Sequence, residues 1–259
     1  MGLAQFISTL IKEIVYEQRN VFLSFLERRN MNWEQEQKLK LRAFEIERQQ
    51  ELKLGAERRR ATLERKRLDV AAAVLHEKLI VLDVETQYLS TEVDEEWGAV
   101  SEFLVAVAVT WDKVNEFRIW YEKDVPDLLV ELTKFAQILT FNGERFDFKV
   151  LEHYGSINEL KKRSVDLLAF IEKHIQKWVS LDSLAKECPR VGETMTGIEA
   201  VNLWRSGDPE KQRLVVDYCK RDVEILRDLY VELHAVGLRF TGRNFRPFRI
   251  WADGSHGTI

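Results

Sequence analysis

Cysteine is scarce in this sequence: only Cys188 and Cys219 occur, far apart and outside any Cys-x-x-Cys pair. This scarcity argues against a disulfide framework and against a cysteine-rich zinc site, and it fits a reducing cytosol. No run of about 18 apolar residues is present, so we expect no membrane-spanning helix. The N-terminus also lacks the basic and then apolar pattern of a secretion signal. We therefore expect a cytoplasmic protein that has no membrane partner.

Residues 1–75 contain no proline, and glycine occurs there only as Gly2 and Gly55. Because helix breakers are missing and helix formers dominate, we predict a helical arm over these residues. Its second helix should run from Trp33 to about Leu68. That helix is mostly Glu, Gln, Lys and Arg, and its apolar set is thin: Leu41, Phe44, Leu52 and Leu63.

This arm is more basic than the rest of the chain. It carries 15 Lys/Arg against 11 Asp/Glu, whereas the whole chain has a net charge of −4. We favour an arm that packs on its own domain or on a partner, either a second copy of the chain or another protein. A nucleic-acid arm built on Arg58-Arg59-Arg60 and Arg65-Lys66-Arg67 is a second interpretation. A lipid-surface helix over residues 1–26 is a third, but its polar face is mixed in sign and not basic.

From His76 onward, strand and helix patterns alternate. Apolar, β-branched segments predict a strand from Leu79 and three more over Phe103–Thr110, Asn115–Tyr121 and Ile138–Asn142. Helices are predicted over Asp127–Gln137, Arg145–His153, Val165–Ile175, Leu181–Lys186, Ile198–Arg205 and Asp208–Val236. This order predicts an α/β fold with a mixed sheet flanked by helices. We divide the chain into the arm (1–75), a main domain (76–240) and a C-terminal tail (241–259) expected to form a short hairpin and a loose end.

Two carboxylates end the first strand. Because side chains alternate along a strand, Asp83 and Glu85 should project from one face and Val84 from the other. Two neighbouring acids on a core strand repel each other and resist ionisation unless a cation lies between them. The pair therefore indicates a divalent metal, although a solvated strand end would carry the same residues.

Two later stretches add further acids. The first, Asn142-Gly143-Glu144-Arg145-Phe146-Asp147, places Asp147 in the first turn of a predicted helix, where the helix dipole alone also favours an acid. The second, Tyr218-Cys219-Lys220-Arg221-Asp222, lies within a long predicted helix. Tyr218 and Asp222 are four residues apart, so they share one helix face. Cys219 is predicted to face elsewhere and to serve packing.

These three stretches together resemble the three motifs of the DEDD superfamily of 3′–5′ exonucleases, which includes the proofreading domains of DNA polymerases. The third motif resembles the tyrosine (DEDDy) branch, because Tyr218 lies four residues before Asp222 while Asp217 occupies the histidine position of the other branch. The resemblance covers about residues 76–240. Three further segments resemble stand-alone exonuclease-like domains found beside helicase modules: Val165–Leu168, Ser180–Ser183 and Trp204–Asp208.

The resemblance implies a ribonuclease-H-like fold, with a five-stranded mixed sheet and the arm as a long N-terminal helical extension. It also implies a two-metal site whose ligands are Asp83, Glu85, Asp147 and Asp222. Asp83 would bridge the ions, Glu85 and Asp222 would hold the ion on the nucleophile side, and Asp147 would serve the other. Tyr218 would orient the attacking water. Oxygen ligands without His or Cys favour two Mg²⁺ or Mn²⁺ ions over Zn²⁺.

Substrate-binding candidates follow from closeness in sequence to these motifs. Thr86, Asn142 and Phe146 are expected to line the pocket for the 3′-terminal nucleotide. Arg145, Lys149, Lys220 and Arg221 are candidate phosphate contacts, although we favour plain surface solvation for each one taken alone. Tyr88 or Trp97 could stack a base, but for both residues we favour a structural role.

The sequence therefore predicts a metal-dependent 3′–5′ exonuclease that acts on single-stranded 3′ ends, with DNA the favoured substrate. An RNA 3′–5′ exonuclease is an alternative, because nothing in the motifs distinguishes a 2′-hydroxyl. A non-catalytic scaffold that acts through the N-terminal helices is a third hypothesis. The four acids argue against the scaffold, because a scaffold has no need of mutually repelling carboxylates.

Overall fold

A computed structural model describes residues 16–21, 24, 33–89, 102–185, 195–241 and 247–258. The chain divides into two compact units, Met1–Arg65 and Lys66–Ile259. Trp97, one of the candidate stacking residues, lies outside the described part.

Five strands form the central sheet: β1 (Leu79–Thr86), β2 (Val105–Asp112), β3 (Glu116–Tyr121), β4 (Gln137–Thr140) and β5 (Ser164–Asp166). Their order across the sheet is β3-β2-β1-β4-β5. The first three strands pair antiparallel, and β4 and β5 extend the sheet in parallel from β1. The carboxyl ends of β1, β4 and β5 therefore meet at one edge of the sheet.

Both faces of this sheet are covered by helices. One face carries α2 (Val125–Leu132) and α3 (Asp147–Glu152), and it buries an apolar cluster that includes Ile80, Leu82 and Val84. The other face includes Leu79, Val81, Val107 and Val109, and four helices pack on it. These are α5 (Leu167–Ile175), α6 (Leu181–Ala185), α7 (Gly197–Arg205) and the 27-residue α8 (Pro209–Ala235). The predicted mixed sheet flanked by helices is confirmed.

The sequence pattern predicts neither β5 nor the short α4 (Asn158–Lys161) before it. Residues from Val165 onward were assigned to a helix, whereas the helix begins only at Leu167. Three residues are too few to show a strand periodicity. Asp166 ends the strand and caps the helix at the same time, accepting a hydrogen bond from the Ala169 amide.

The C-terminal residues form a second, three-stranded antiparallel sheet of β6 (Leu238–Thr241), β7 (Pro247–Ile250) and β8 (His256–Thr258). The predicted loose end is therefore wrong. His256-Gly257-Thr258 has no apolar pattern that would have indicated a strand, and it is held by pairing with β7.

The arm contains α1 (Trp33–Val74), a helix of 42 residues that extends beyond the predicted end at Leu68. The four apolar residues that the sequence singled out in this helix, Leu41, Phe44, Leu52 and Leu63, are all exposed. Residues 16–21 are also helical. Within the second unit, Arg67 near the end of α1 donates two hydrogen bonds to Glu232 of α8. Among the helices of the described ranges, none combines the length and the apolarity needed to cross a membrane.

Candidate metal centre

The candidate site forms where β1 meets α8. Strand alternation directs Asp83 and Glu85 away from the cluster that buries Val84 and toward the face covered by α8. Asp222, on α8, is 7% exposed. One carboxylate oxygen from each of Asp83, Glu85 and Asp222 lies within 4.8 Å of the other two. Three acids that are distant in sequence therefore converge on one point.

The chemistry of this cluster fits a divalent cation. Oδ1 of Asp222 is buried and has no hydrogen-bond partner among the described residues. A buried carboxylate oxygen without a partner loses its hydration and gains nothing in return, unless an ion takes that place. All three donors are hard oxygen ligands of the kind that Mg²⁺ and Mn²⁺ prefer. Asp83, Glu85 and Asp222 could therefore hold such an ion.

The electrostatics of the site point the same way. Burial and the nearby charge of Asp147 together raise the pKa of Asp83 to about 7. Burial also raises the pKa of Asp222 to about 8, with a contribution from Asp83. The pKa of Glu85 is raised well above its ordinary value by burial and by the neighbouring acids. These acids alone thus resist ionisation near neutral pH, and a bound cation would reverse that preference.

Tyr218 lies four residues before Asp222, on the same face of α8, and the charge of Asp222 acts on its hydroxyl. Burial and the charges of Asp222, Glu85 and Asp83 raise the pKa of the Tyr218 hydroxyl. This hydroxyl therefore stays protonated at neutral pH. Tyr218 also lines a cleft of about 560 Å³ between α7 and α8, together with Met195, Glu199, Asn202, Leu203, Leu214, Asp217 and Arg221.

Asp147, the fourth predicted ligand, is the first residue of α3 and is 3% exposed. Burial, with a contribution from the charge of Asp166, raises its pKa to about 7. Its charge acts on both Asp83 and Glu85. Asp147 does not belong to the three-residue cluster, but it is close enough to interact with it electrostatically.

The loop between β4 and α3 is shaped by two unusual positions. Asn142 has a left-handed backbone conformation, with φ of 66°. A Cβ at Gly143 would collide with the side chain of Thr140. Only glycine therefore fits this turn, which brings Asp147 to the carboxyl edge of the sheet.

Asp166 holds this loop, a role that sequence analysis did not assign. Its Oδ1 accepts a hydrogen bond from the Asn142 amide at 3.0 Å, and its Oδ2 accepts one from the Glu144 amide at 3.1 Å. Asp166 lies opposite Thr140 in the pairing of β4 with β5. The only signal in the sequence was an aspartate directly before an apolar helix, which is the usual mark of an N-cap.

The predicted substrate-binding residues occupy different surroundings. Thr86 is buried, and its hydroxyl donates to the carbonyl of Tyr88 at 3.1 Å. Phe146 packs against Phe103, with ring centroids 6.1 Å apart. Arg145 forms an ion pair with Glu172 at 2.6 Å, and Lys149 is half-buried on α3. Arg145 would therefore have to share its guanidinium between Glu172 and a phosphate.

Cys219 does not face away from the site as predicted. Its thiol donates to Oδ2 of Asp83 at 3.2 Å and approaches the Asp83 carbonyl at 3.5 Å. Cys219 and Asp222 are three residues apart, so they also share a helix face. The prediction considered only the four-residue spacing between Tyr218 and Asp222. The packing assignment holds as well, because Cys219 is fully buried in the core.

A protein-family model and a solved structure are each similar to part of this chain. Residues 80–234 match the RNase_H_2 family model, described as the RNase_H superfamily. The family B DNA polymerase from the hyperthermophilic archaeon Pyrobaculum calidifontis is a similar solved structure, with 14% sequence identity and a TM-score of 0.46. The match covers 61% of this chain and 25% of the polymerase, so the chain spans about a quarter of its length. No curated protein matches the chain. Because the family model matches more than half of its residues, the chain belongs to the RNase H superfamily and has the ribonuclease-H-like fold.

Proposed function

We propose that this chain is a metal-dependent 3′–5′ exonuclease that hydrolyses phosphodiester bonds in single-stranded nucleic acid, with DNA the favoured substrate. Membership of the RNase H superfamily supports nuclease activity in general, and nucleases of this kind usually use divalent metals. The 3′–5′ direction and the preference for DNA rest on the resemblance of the three motifs to the DEDDy exonucleases.

One observation carries the proposal. Asp83, Glu85 and Asp222 converge within 4.8 Å, and the buried Oδ1 of Asp222 has no hydrogen-bond partner in the described part of the chain. Such an arrangement costs folding free energy unless it serves a ligand. Asp147 would complete a two-metal set with Asp83. Divalent ions at such a site supply positive charge for the phosphate and lower the pKa of water.

The chain's own groups have distinct tasks. Tyr218 keeps its proton at neutral pH, so it cannot act as a general base and would instead orient the attacking water through its hydroxyl. Cys219 donates to Asp83 and so limits rotation of that carboxylate.

The test is degradation of 5′-labelled single-stranded DNA and RNA of the same sequence, with Mg²⁺, Mn²⁺ or EDTA. Wild type is compared with Asp83→Asn and with Asp69→Asn, which changes an exposed aspartate of α1. We expect a metal-dependent ladder that shortens from the 3′ end, stronger on DNA, lost in Asp83→Asn and unchanged in Asp69→Asn. Stronger cleavage of RNA would favour the RNA alternative. If neither strand is cut and no metal binds, the scaffold hypothesis gains and the exonuclease proposal fails.

A further inference from the structure

Two pairs of aromatic and cationic side chains lie side by side near the metal centre. The rings of Tyr121 and Trp204 are stacked, with centroids 6.3 Å apart and planes inclined by 26°. The guanidinium of Arg205 lies over the ring of Tyr88 at 5.6 Å. Trp204 and Arg205 are consecutive residues at the C-terminal end of α7, so this helix end contacts both tyrosines.

A hydrogen bond ties together the two segments that carry these tyrosines. Nε2 of Gln87 donates to Oε2 of Glu122 at 2.7 Å, and it also donates to the Val105 carbonyl. Gln87 precedes Tyr88, and Glu122 follows Tyr121. A side-chain hydrogen bond therefore joins the segment that bears Tyr88 to the segment that bears Tyr121.

Strand register places this group next to the catalytic acids. Glu85 pairs with Val107, and Val107 pairs with Tyr121. Residues directly opposite each other on neighbouring strands point to the same side of a sheet, so Glu85 and Tyr121 share a face. Two strand spacings separate their backbones by about 10 Å. Tyr88 follows Glu85 by only three residues.

The exposure of these rings argues against a role in packing alone. Tyr88 is 40% exposed and Tyr121 is 42% exposed. A ring whose only role was to attach α7 to the sheet would gain more free energy by being buried. Base–aromatic stacking needs an accessible ring face of this kind, and an arginine beside it suits both stacking and phosphate contact.

We propose that Tyr88, Tyr121, Trp204 and Arg205 form a stacking wall that binds the bases of a single-stranded nucleic acid whose end lies in the metal centre. The inference rests on the proposed function, because it assigns the wall to the substrate of that site. Stacking tolerates any base, so the wall selects unpaired strands over duplexes without selecting a sequence.

The test separates bases from phosphates. Binding of a fluorescein-labelled dodecathymidylate and of an abasic strand of the same length is measured by anisotropy with the full chain in EDTA, which prevents metal-dependent turnover. The variants are Tyr88→Leu and Tyr121→Leu, with Tyr88→Phe and Tyr121→Phe as conservative replacements. Tyr16→Leu, which changes an exposed tyrosine of the N-terminal unit, is the matched control. Thermal melting of each variant verifies that it folds.

We expect wild type to bind the thymidine strand more tightly than the abasic strand. Each Leu variant should weaken binding of the thymidine strand roughly 5- to 150-fold and leave the abasic strand unchanged. The Phe variants and Tyr16→Leu should behave as wild type. Leu variants that bind both strands like wild type, or that weaken both equally, would overturn the proposal.

Hydrolysis of the nitrophenyl ester of thymidine 5′-monophosphate with Mn²⁺ separates the two claims. If the chain hydrolyses this ester but the Leu variants do not change strand binding, the stacking-wall proposal is wrong and the proposed nuclease function still stands. Base-dependent binding that the Leu variants abolish, without hydrolysis of any substrate, would support the wall and count against the proposed function.

Discussion

The most informative perturbation is Asp222→Asn, because it removes one charge from the acidic cluster with almost no change in shape. The pKa of Asp222 is about 8 in the fold, against an ordinary value of 3.8. At about 1.4 kcal/mol for each pH unit, this raised pKa lowers the stability of the folded chain at neutral pH by on the order of a few kcal/mol, because the unfolded chain ionises the group freely. The amide avoids this cost. In EDTA at pH 7.5, we therefore expect Asp222→Asn to melt at a higher temperature than wild type.

Divalent metal should reverse that order. A ligand at 100 times its dissociation constant stabilises a folded protein by about 2.7 kcal/mol. For a unit of about 150–250 residues, each kcal/mol raises Tm by about 2–4 °C. The unit Lys66–Ile259 falls in this range. We expect saturating Mn²⁺ to raise the wild-type Tm by about 5–11 °C, and to raise that of Asp222→Asn by less than about a third as much.

Calorimetry of both proteins across a Mn²⁺ titration measures these shifts. Asp69→Asn should respond to Mn²⁺ as wild type does, since its exposed side chain lies on α1. Equal shifts in wild type and Asp222→Asn, or a wild type that is the more stable of the two in EDTA, would refute the reasoning about the cluster.

Three further predictions follow from the same geometry. The pKa values of Asp83 and Asp147 are about 7 in the fold, so between pH 4 and pH 8 the folded chain binds more protons than the unfolded chain. In EDTA, the stability of wild type relative to Asp83→Asn should therefore fall as the pH rises through this window; a difference in Tm that is flat or rising would contradict it. Tyr218→Phe should lower kcat by on the order of tenfold or more, with the Mn²⁺ concentration for half-maximal activity unchanged, if the hydroxyl orients water as we propose. An unchanged kcat would remove Tyr218 from the mechanism. Asp166→Asn should destabilise the chain by about 1–3 kcal/mol, since one of its oxygens becomes a donor facing backbone amides, and it should raise the half-maximal Mn²⁺ concentration. Asp208→Asn, which changes the N-cap of α8, is its control and should leave the Mn²⁺ requirement unchanged.

Much of the fold could be predicted because its long elements carry strong periodic signals. The alternation in β1 placed Asp83 and Glu85 on one face and Val84 on the other, as the two apolar clusters show. The mixed sheet follows from three antiparallel strands, a crossover helix and a further apolar strand. Strand β5 escaped detection because three residues that run straight into a helix carry no period of their own.

The details of the site were harder to predict from the sequence. Asp166 acts on the β4–α3 loop from 22 to 24 residues away, and only the folded sheet brings the two together. The contact between Cys219 and Asp83 spans 136 residues and depends on how α8 is rotated against β1. Helix spacing can show which residues share a face, but it does not show which face meets the sheet.

The most direct measurement of the metal centre is anomalous diffraction from crystals of the wild-type chain soaked in Mn²⁺, recorded at the manganese edge. We predict a strong anomalous peak enclosed by Asp83, Glu85 and Asp222, and its loss in crystals of Asp83→Asn. A well-ordered cluster without a peak at saturating Mn²⁺ would contradict the assignment of these acids as a metal centre.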